Sequence, residues 1–426
     1  MHCDVTSCTC GERPTPAVVF ACERDFGCQG LRSSSLVAAS DPSGVLQSRR
    51  PLQVNLMSAA PLFTPLQLGP VALPNRIAVA PMCQYMANDG CASAWHTQHL
   101  MSLAMSGAGL VMIEATAVSR RGRITHGCLG LYSDASEDAL GTVLDQARRV
   151  ALPGTEFGIQ LSHAGRKGSA HRPWETPGGS LSGSDAWTTL APSEIVHREN
   201  WALPQAASQE DLDQIAYDFR NAAARAARLG IKVVEVHVAH GYLLHQFHSP
   251  LSNKRQDAWG GDAERRMAFP LRVARTVREA AGGIAVGARI TGSDWSQDGL
   301  MIADATTLAT QLKAIGIDYA CVTSSGIPVS NPTVANAEDH HPSLAEAVRR
   351  ESGITTRAVG MITGSQQAND IIGSGQADQV AIGRAFLDDP RWGWHAAFDL
   401  SVTLPYPSPY AWAAPGEWSG LKHRTA

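Results

Sequence analysis

The stretch Ile231–Gly261, IKVVEVHVAHGYLLHQFHSPLSNKRQDAWGG, begins as a short apolar run and ends in polar side chains. β-Branched residues dominate its first part, which is typical of a buried strand. The run stops at His237 and is followed by His240, Gly241 and Tyr242. Two imidazoles and a phenol can donate hydrogen bonds to one carbonyl oxygen and supply a proton nearby. The stretch therefore predicts a strand that delivers an active site.

Two other interpretations of this stretch stay open from the residues alone. A histidine at a strand end is more often structural than catalytic. The His-x-x-His spacing also suits a metal, with His245 and His248 as further ligands. However, no cysteine or carboxylate cluster follows to complete a tetrahedral shell, so we expect no metal.

The composition of the chain restricts the classes of partner. Its 426 residues are 44% hydrophobic and 17% charged, enough to bury a large core. The formal net charge of -4 is spread without blocks of one sign, which favours neither nucleic acid nor an anionic membrane. No run approaches the roughly 20 apolar residues of a membrane span, and the first residues lack the order of a secretory signal. We expect a cytoplasmic protein with a small-molecule partner.

The first part of the chain differs from the rest. Residues 1–56 hold five of the nine cysteines, show neither helical nor strand periodicity, and are rich in Ser, Pro and Arg. Their cysteine spacing does not match a zinc finger. We expect a disordered, dispensable leader, or a true start at Met57.

From Asn75 onward, short runs of Val, Ile and Ala alternate with longer amphipathic segments, as in a parallel sheet with crossover helices. Eight such units favour an α/β fold of the closed (β/α)₈ TIM-barrel type over an open doubly wound sheet. The predicted strands are Arg76–Met82, Gly109–Ala117, Phe157–Ser162, Lys232–His237, Ile284–Ile290, Tyr319–Thr323, Ala358–Ile362 and Gln379–Ile382.

The barrel should occupy residues 57–400, with two attached segments. Residues 168–207, after strand three, are too long for an ordinary connection and are expected to form a lid over the site. Residues 401–426 form an aromatic tail that contains Tyr406, Tyr410, Trp412 and Trp418.

Chemistry on a TIM barrel lies at the carboxyl ends of the strands, and ligand-binding side chains follow nearly every predicted strand. They are Pro81–Tyr85, Glu114–Thr116, Gln160 with His163–Lys167, His237 with His240 and Tyr242, Arg289, Ser324–Gly326, Gly360–Thr363 and Gly383–Arg384.

The ends of strands seven and eight indicate a phosphate site. Gly360 and Gly383 allow close backbone approach, and Arg384 can pair with phosphate in two contacts, although the glycines alone would suit tight turns equally well. With Arg289 and Gln160, these residues suggest one long ligand, because the amide of Gln160 suits the pyrimidine edge of a flavin. No Gly-x-Gly-x-x-Gly follows a strand, so a nicotinamide would bind only transiently.

The chain resembles the old yellow enzyme family of flavin-dependent ene-reductases, most closely its bacterial branch with a cysteine near the flavin. The resemblance runs from about Pro61 to Trp392. It is carried by Ala80-Pro81-Met82-Cys83-x-Tyr85, Glu114-Ala115-Thr116-Ala117-Val118, Gln160-Leu161-x-His163-Ala164-Gly165-Arg166-Lys167, His237-x-x-His240-Gly241-Tyr242-Leu243, Ser249-Pro250-Leu251-Ser252-Asn253-x-Arg255 and Ile382-Gly383-Arg384.

This resemblance implies non-covalent FMN across the barrel mouth, with NADPH or NADH as transient reductant. The implied cofactor contacts are Ala80, Pro81, Met82, Cys83, Ala115 and Gln160 at the isoalloxazine, Arg289 at its N1 and O2 edge, and Gly360, Gly383 and Arg384 at the phosphate. Cys83 would tune the flavin without a covalent bond, although a buried thiol can simply pack.

The resemblance also implies the reaction, which is reduction of the activated C=C bond of an α,β-unsaturated carbonyl compound. His237 and His240 would bind the carbonyl oxygen, Tyr85 would donate on the substrate side, and Tyr242 would protonate the α-carbon after hydride transfer from flavin N5. Lys167 is a weaker candidate, because a lysine at a strand end is often a solvated cap.

Other functions stay open from the sequence, and the chain departs from the family pattern in two places. The chain could instead be a flavin reductase of nitro compounds or other xenobiotics, or a flavin-binding protein without turnover. It has Glu264-Arg265-Arg266 where relatives commonly have Glu-Asn-Arg, which affects local helix packing only. The tail lacks the arginine that some relatives extend into a neighbouring subunit. It either takes over that task in a homodimer or homotetramer or packs on its own barrel.

Overall fold

A computed structural model describes residues 60–175, 179–324, 326–327 and 340–423. The expected leader, residues 1–56, the alternative start at Met57 and Ser325 at the end of predicted strand six lie outside the described residues. Eight parallel strands form a closed barrel in chain order, so the predicted (β/α)₈ fold is confirmed. They are β1 (Ile77–Val79), β2 (Leu110–Ala117), β3 (Glu156–Ser162), β4 (Val233–Val238), β5 (Ala285–Thr291), β6 (Tyr319–Thr323), β7 (Thr355–Val359) and β8 (Gln379–Ile382).

Helices surround this barrel and connect its strands. They are α1 (Ala94–Ala104), α2 (Asp134–Val150), α3 (Gln209–Arg228), α4 (Leu243–His248), α5 (Ala263–Ala280), α6 (Ile302–Ala314), α7 (His340–Ser352), α8 (Ser365–Gly373), α9 (Arg384–Asp388) and α10 (Trp392–Asp399). Short two-stranded pairs join Leu66–Leu68 to Val71–Leu73 and Leu190–Ala191 to Gln205–Ala206. None of the described helices is long and apolar enough to cross a membrane.

Two predicted strand boundaries are wrong. Strand one ends at Val79 and not at Met82, because Pro81 has no amide hydrogen to continue the ladder. Strand seven spans Thr355–Val359 and not Ala358–Ile362. The left-handed φ of +116° at Gly360 takes the chain out of extended conformation. Both errors place residues predicted as strand in loops at the carboxyl end of the barrel.

One end of the barrel is closed by apolar packing. The hairpin residues Leu68 and Leu73 are buried in one cluster with Val233 and Tyr319, which begin β4 and β6. The amino ends of the strands are therefore covered. The carboxyl ends are left for the site, as the fold requires.

A charged network crosses the barrel interior. Glu235 on β4 is fully buried and accepts hydrogen bonds from Gln160 Nε2 at 2.8 Å, Tyr319 Oη at 3.0 Å and Arg357 at 3.0 Å. Arg357 also donates to Gln379 at 2.7 Å and stacks on the Tyr319 ring at 4.2 Å. A buried carboxylate is tolerable only with such partners.

Candidate active site

The loop after β4 brings the predicted catalytic side chains together in an unusual backbone conformation. His240 and Gly241 both adopt left-handed φ angles, +58° and +72°. A Cβ atom on Gly241 would lie 2.1 Å from the carbonyl oxygen of Gly326, so only glycine fits there. The turn holds the ring of His237 4.9 Å from that of Tyr242 and 5.2 Å from that of His240, centroid to centroid.

The rings of the two histidines and the hydroxyl of Thr323 lie within hydrogen-bonding distance of one another in sequence. The amide of Ala239 donates to Nδ1 of His237 at 3.3 Å, so the neutral ring carries its proton on Nε2. This Nε2 lies 3.4 Å from Nδ1 of His240, whose Nε2 in turn lies 3.1 Å from the hydroxyl of Thr323. Since a hydroxyl can donate or accept, Thr323 allows either tautomer of His240.

Burial fixes the charge states in this cluster. Desolvation, and next the nearby charge of Arg289, lower the pKa values of His237 and His240 well below their usual range. Desolvation likewise raises the pKa of Tyr242 far above its usual value, with smaller contributions from Cys83 and Cys128. At neutral pH the site therefore presents two neutral imidazoles and a protonated phenol, all of them possible donors.

Lys167 lies closer to this cluster than its sequence position indicated. Its ammonium group donates to the carbonyl oxygen of His240 at 2.8 Å and lies 4.9 Å from the centre of the Tyr242 ring. Desolvation and the charges of Arg198 and Arg166 lower the pKa of Lys167 to about 8. Lys167 is therefore not a solvated cap, because its ammonium group binds the loop after β4.

The buried pair His245 and Asp294 also contacts the loop after β4. His245 Nε2 lies 3.1 Å from Asp294, and Nδ1 of His245 accepts the amide of Gly241 at 2.8 Å. The other carboxylate oxygen of Asp294 accepts from the hydroxyl of Ser249 at 2.6 Å. His245 thus connects a buried carboxylate to Gly241, and this contact helps to hold the turn between His240 and Tyr242 in place.

A second group of predicted residues lines a cleft of about 490 Å³ at the ends of β1, β5, β7 and β8. The cofactor candidates that line it are Ala80, Pro81, Met82, Arg289, Gly360, Gly383 and Arg384. Arg289 is nearly buried, and its Nε atom has no hydrogen-bond partner. A buried guanidinium N–H without a partner is costly, so a ligand oxygen or nitrogen fits there. These residues suit a phosphorylated flavin.

Two further cofactor candidates, Ala115 and Gln160, lie on the paired strands β2 and β3. The pairing of β2 with β3 shifts at Glu114, and this irregularity sets Ala115 opposite Gln160. Because Nε2 of Gln160 donates to Glu235, its carbonyl oxygen is left to accept from a ligand. The carboxylate of Glu114 meanwhile accepts the amide of Gln84 at 3.0 Å, which fixes the loop after β1.

Cys83 and Tyr85 lie together in that loop. Burial first, then Glu114 and Cys128, raise the pKa of Cys83, so it is a neutral thiol at physiological pH. Tyr85 has a left-handed φ of +52°, and its ring packs edge-on against Trp174 at 6.1 Å between centroids. Residue 174 belongs to the expected lid, so this segment contacts the loop that holds Cys83 and Tyr85.

The aromatic tail contacts its own barrel. Tyr406 and Tyr410 pack against Trp394 on α10, with ring centroids 4.3 Å and 6.2 Å away, whereas Trp412 is 82% exposed. Of the two alternatives for this segment, the structure shows packing on its own chain for these two tyrosines.

Sequence reasoning missed three residues that support the site. Glu235 carried a signal, since it is the one charge within the apolar run VVEVHV. Asp294 and Thr323 carried none, because a single polar residue at a strand end is common. Their importance depends on which other residues the fold brings beside them.

Together, the closed barrel, the flavin-sized cleft and the donor cluster define a flavin-dependent oxidoreductase. A family model described as "NADH:flavin oxidoreductase / NADH oxidase family" matches residues 61–401. The chain belongs to this family, which is the old yellow enzyme family, and it is an FMN-dependent NAD(P)H oxidoreductase.

Curated relatives and solved structures agree with this family. The chain is 36% identical over 351 residues to an NADPH dehydrogenase of Geobacillus thermodenitrificans, covering 82% of this chain and 97% of the relative. It is 36% identical over 354 residues to an NADPH dehydrogenase of Bacillus subtilis, covering 83% and 98%. A structure of morphinone reductase in complex with tetrahydroNAD matches with a TM-score of 0.64 and 28% identity, covering 82% and 93%.

Proposed function

We propose that the protein reduces the activated C=C bond of α,β-unsaturated carbonyl compounds with electrons from NAD(P)H. The observation that carries this proposal is the His237–His240 pair, whose facing nitrogens lie 3.4 Å apart. Bound FMN would accept hydride from NAD(P)H and deliver it to the substrate. The protein residues must therefore bind the carbonyl, stabilise its developing charge and supply one proton.

The carbonyl oxygen would be held by the two imidazoles. His237 carries its proton on Nε2, and a hydroxyl proton of Thr323 directed at Nε2 of His240 leaves the His240 proton on Nδ1. Two facing N–H groups cannot bond to each other, so a carbonyl oxygen that approaches both rings would replace their contact and accept from both. Negative charge grows on that oxygen as hydride adds to the β-carbon, so both contacts strengthen in the transition state.

Tyr242 would deliver the proton to the α-carbon. Its raised pKa keeps the phenol protonated at neutral pH, and the charge of Lys167 near its ring stabilises the phenolate that proton transfer leaves. Tyr85 would donate to the substrate from the opposite loop. Arg289, Gln160, Gly360, Gly383 and Arg384 would hold the cofactor, with Ala80, Pro81, Met82, Cys83 and Ala115 along the ring system.

The test is a spectroscopic cycle on the purified holoenzyme. NADPH or NADH should bleach the flavin absorbance, and 2-cyclohexenone should restore it under anaerobic conditions with formation of cyclohexanone. Restoration by a nitroaromatic compound but not by the enone would favour the alternative reaction. We also propose a cytoplasmic location and leave the homodimer and homotetramer as predictions for sedimentation analysis.

A further inference from the structure

The carboxylate of Glu114 is buried beside the loop that borders the flavin cleft. Glu114 lies on β2, where the pairing with β3 shifts, and its side chain is only 4% exposed. Its Oε2 atom accepts the amide of Gln84 at 3.0 Å. Met82 lines the cleft assigned to the cofactor, and Cys83 lies between Met82 and Gln84 in the chain. A negative charge therefore lies next to the loop that carries two of the cofactor candidates.

The other carboxylate oxygen of Glu114 faces the imidazole of His96. Nε2 of His96 lies 3.3 Å from Oε1 of Glu114, and the imidazole side chain is 3% exposed. The amide of Ser93 donates to Nδ1 of His96 at 3.0 Å, so the ring carries its proton on Nε2. A neutral imidazole places an N–H group near the carboxylate without cancelling its charge. Among the described residues no lysine or arginine forms an ion pair with Glu114, so the charge stays uncompensated.

The start of α1 fixes the distance between this charge and the loop. Ser93 caps the helix, and His96 belongs to its first turn. From the same turn, Nε1 of Trp95 donates to Oε1 of Gln84 at 2.9 Å. The amide group of the Gln84 side chain in turn donates to the carbonyl oxygen of Met82 at 2.9 Å. One turn of helix therefore holds both the carboxylate and the loop after β1.

Two thiols respond to the charge of Glu114. Burial, and next the charge of Glu114, raise the pKa of Cys83. Burial raises the pKa of Cys128 to about 11, and the charge of Glu114 contributes in the same direction. A buried charge is weakly screened, so it acts over several ångströms. A flavin ring bound against Met82 and Cys83 should therefore respond to the same charge.

We propose that Glu114 is a positioning residue whose negative charge makes the bound flavin a stronger hydride donor. Reduced flavin is an anion, so a nearby carboxylate destabilises it and lowers the reduction potential. Arg289 acts in the opposite sense, because its positive charge favours the anion. The two side chains together would balance flavin reduction by NAD(P)H against reoxidation by the enone. The enone step of this proposal rests on the proposed function, whereas the thiol and the flavin potential test it without any enone.

Two variants of Glu114 separate its charge from its hydrogen bond. Glu114→Gln keeps the length of the side chain and an oxygen that can accept from Gln84, but it removes the charge. Glu114→Asp keeps the charge, but it is one methylene too short to hold the amide of Gln84 at the same distance. An electrostatic role should therefore appear in the Gln variant and be small in the Asp variant. A merely structural role should disturb the Asp variant at least as much.

The first measurement is the rate at which iodoacetamide alkylates Cys83 in the holoenzyme at about pH 9, followed by mass spectrometry of the peptide. Because the thiolate is the nucleophile, Glu114→Gln should raise this rate about tenfold, equivalent to one pKa unit. Glu137→Gln is the matched control. Glu137 is also a shielded carboxylate, with a side chain 14% exposed, but it lies on α2 and pairs with Arg225 and Arg228. Its replacement should leave the alkylation of Cys83 unchanged.

The second measurement is a redox titration of the same holoenzymes. In Glu114→Gln the flavin potential should become more positive by about 30 mV, equivalent to a tenfold change in the reduction equilibrium. Stopped flow should then show faster flavin reduction by NADPH and slower reoxidation by 2-cyclohexenone. Loss of structure would instead slow both steps, so the opposite directions identify an electrostatic effect.

Two results would overturn the inference. One is a Gln variant with the native alkylation rate and the native potential. The other is an Asp variant that departs from native as far as the Gln variant does. Should the enone fail to reoxidise the native flavin, the proposed function would fail, while alkylation and potential would still decide the role of Glu114.

Discussion

The hydroxyl of Thr323 lies 3.1 Å from Nε2 of His240, the ring nitrogen that does not face His237. Thr323 ends β6, whereas His240 follows β4, and β5 lies between these two strands in the barrel. The contact therefore crosses the mouth of the barrel. It places a hydroxyl without a direct role in the reaction where it can donate to Nε2 and so stabilise the Nδ1–H tautomer of His240.

Replacement of Thr323 by valine should slow enone reduction about tenfold, the worth of one neutral hydrogen bond of about 1 to 1.5 kcal/mol. The variant loses the donor that stabilises the Nδ1–H tautomer of His240. Stopped-flow oxidation of the reduced flavin by 2-cyclohexenone measures this step. Thr323→Ser keeps the hydroxyl and should retain the native rate, and flavin reduction by NADPH should be unchanged in both variants. An unaffected valine variant would contradict the role.

Tyr242→Phe should separate the two half-reactions. Flavin reduction by NADPH should stay within about twofold of native, whereas enone turnover should fall by about 10² to 10⁴, the usual contribution of general acid catalysis. Both rates are measured by stopped flow on the same preparation. Equal loss in the two half-reactions would argue against proton donation and for a structural role of the phenol.

The rate of enone reduction should decrease as the pH rises through about 8, where Lys167 loses its charge. Below the pKa of Lys167 its ammonium group near the Tyr242 ring is charged and stabilises the phenolate. Above that pKa the charge is lost, so the rate should fall. A pH profile of flavin reoxidation between pH 6 and about 10 measures the effect. Lys167→Met should be slower at low pH and lack the decrease, and Lys167→Arg should move it to higher pH. A native profile without the decrease would contradict this role.

The sequence predicted the barrel because each strand is an apolar run of β-branched residues followed by an amphipathic helix. It also predicted that the side chains of His237, His240 and Tyr242 lie together, since six residues span all three. Thr323 could not be predicted, because its partner is 83 residues away and the contact exists only once the barrel closes. Glu235 was visible as a charge in an apolar run, yet its partners come from three other strands.

Arg289→Ala should lower the two-electron reduction potential of the bound flavin by at least about 30 mV, equivalent to about 1.4 kcal/mol. A cation beside the cofactor favours its anionic reduced form, and Arg289 is nearly buried, so its charge is weakly screened. Redox titration of the holoenzyme measures the change. Arg289→Lys retains a charge and should give an intermediate potential. An alanine variant with the native reduction potential would show that Arg289 does not act on the bound flavin.

Glu235→Gln should destabilise the fold by about 3 to 5 kcal/mol, because it leaves the guanidinium of Arg357 buried without its carboxylate. Glu351→Gln, which breaks an exposed ion pair with Arg350, is the matched control and should cost less than about 1 kcal/mol. Urea unfolding of the two variants measures the difference. Glu235→Gln should also bind FMN more weakly, since Gln160 loses the charged acceptor that orients its amide. Equal stability of the two variants would show that the buried network contributes little to the barrel.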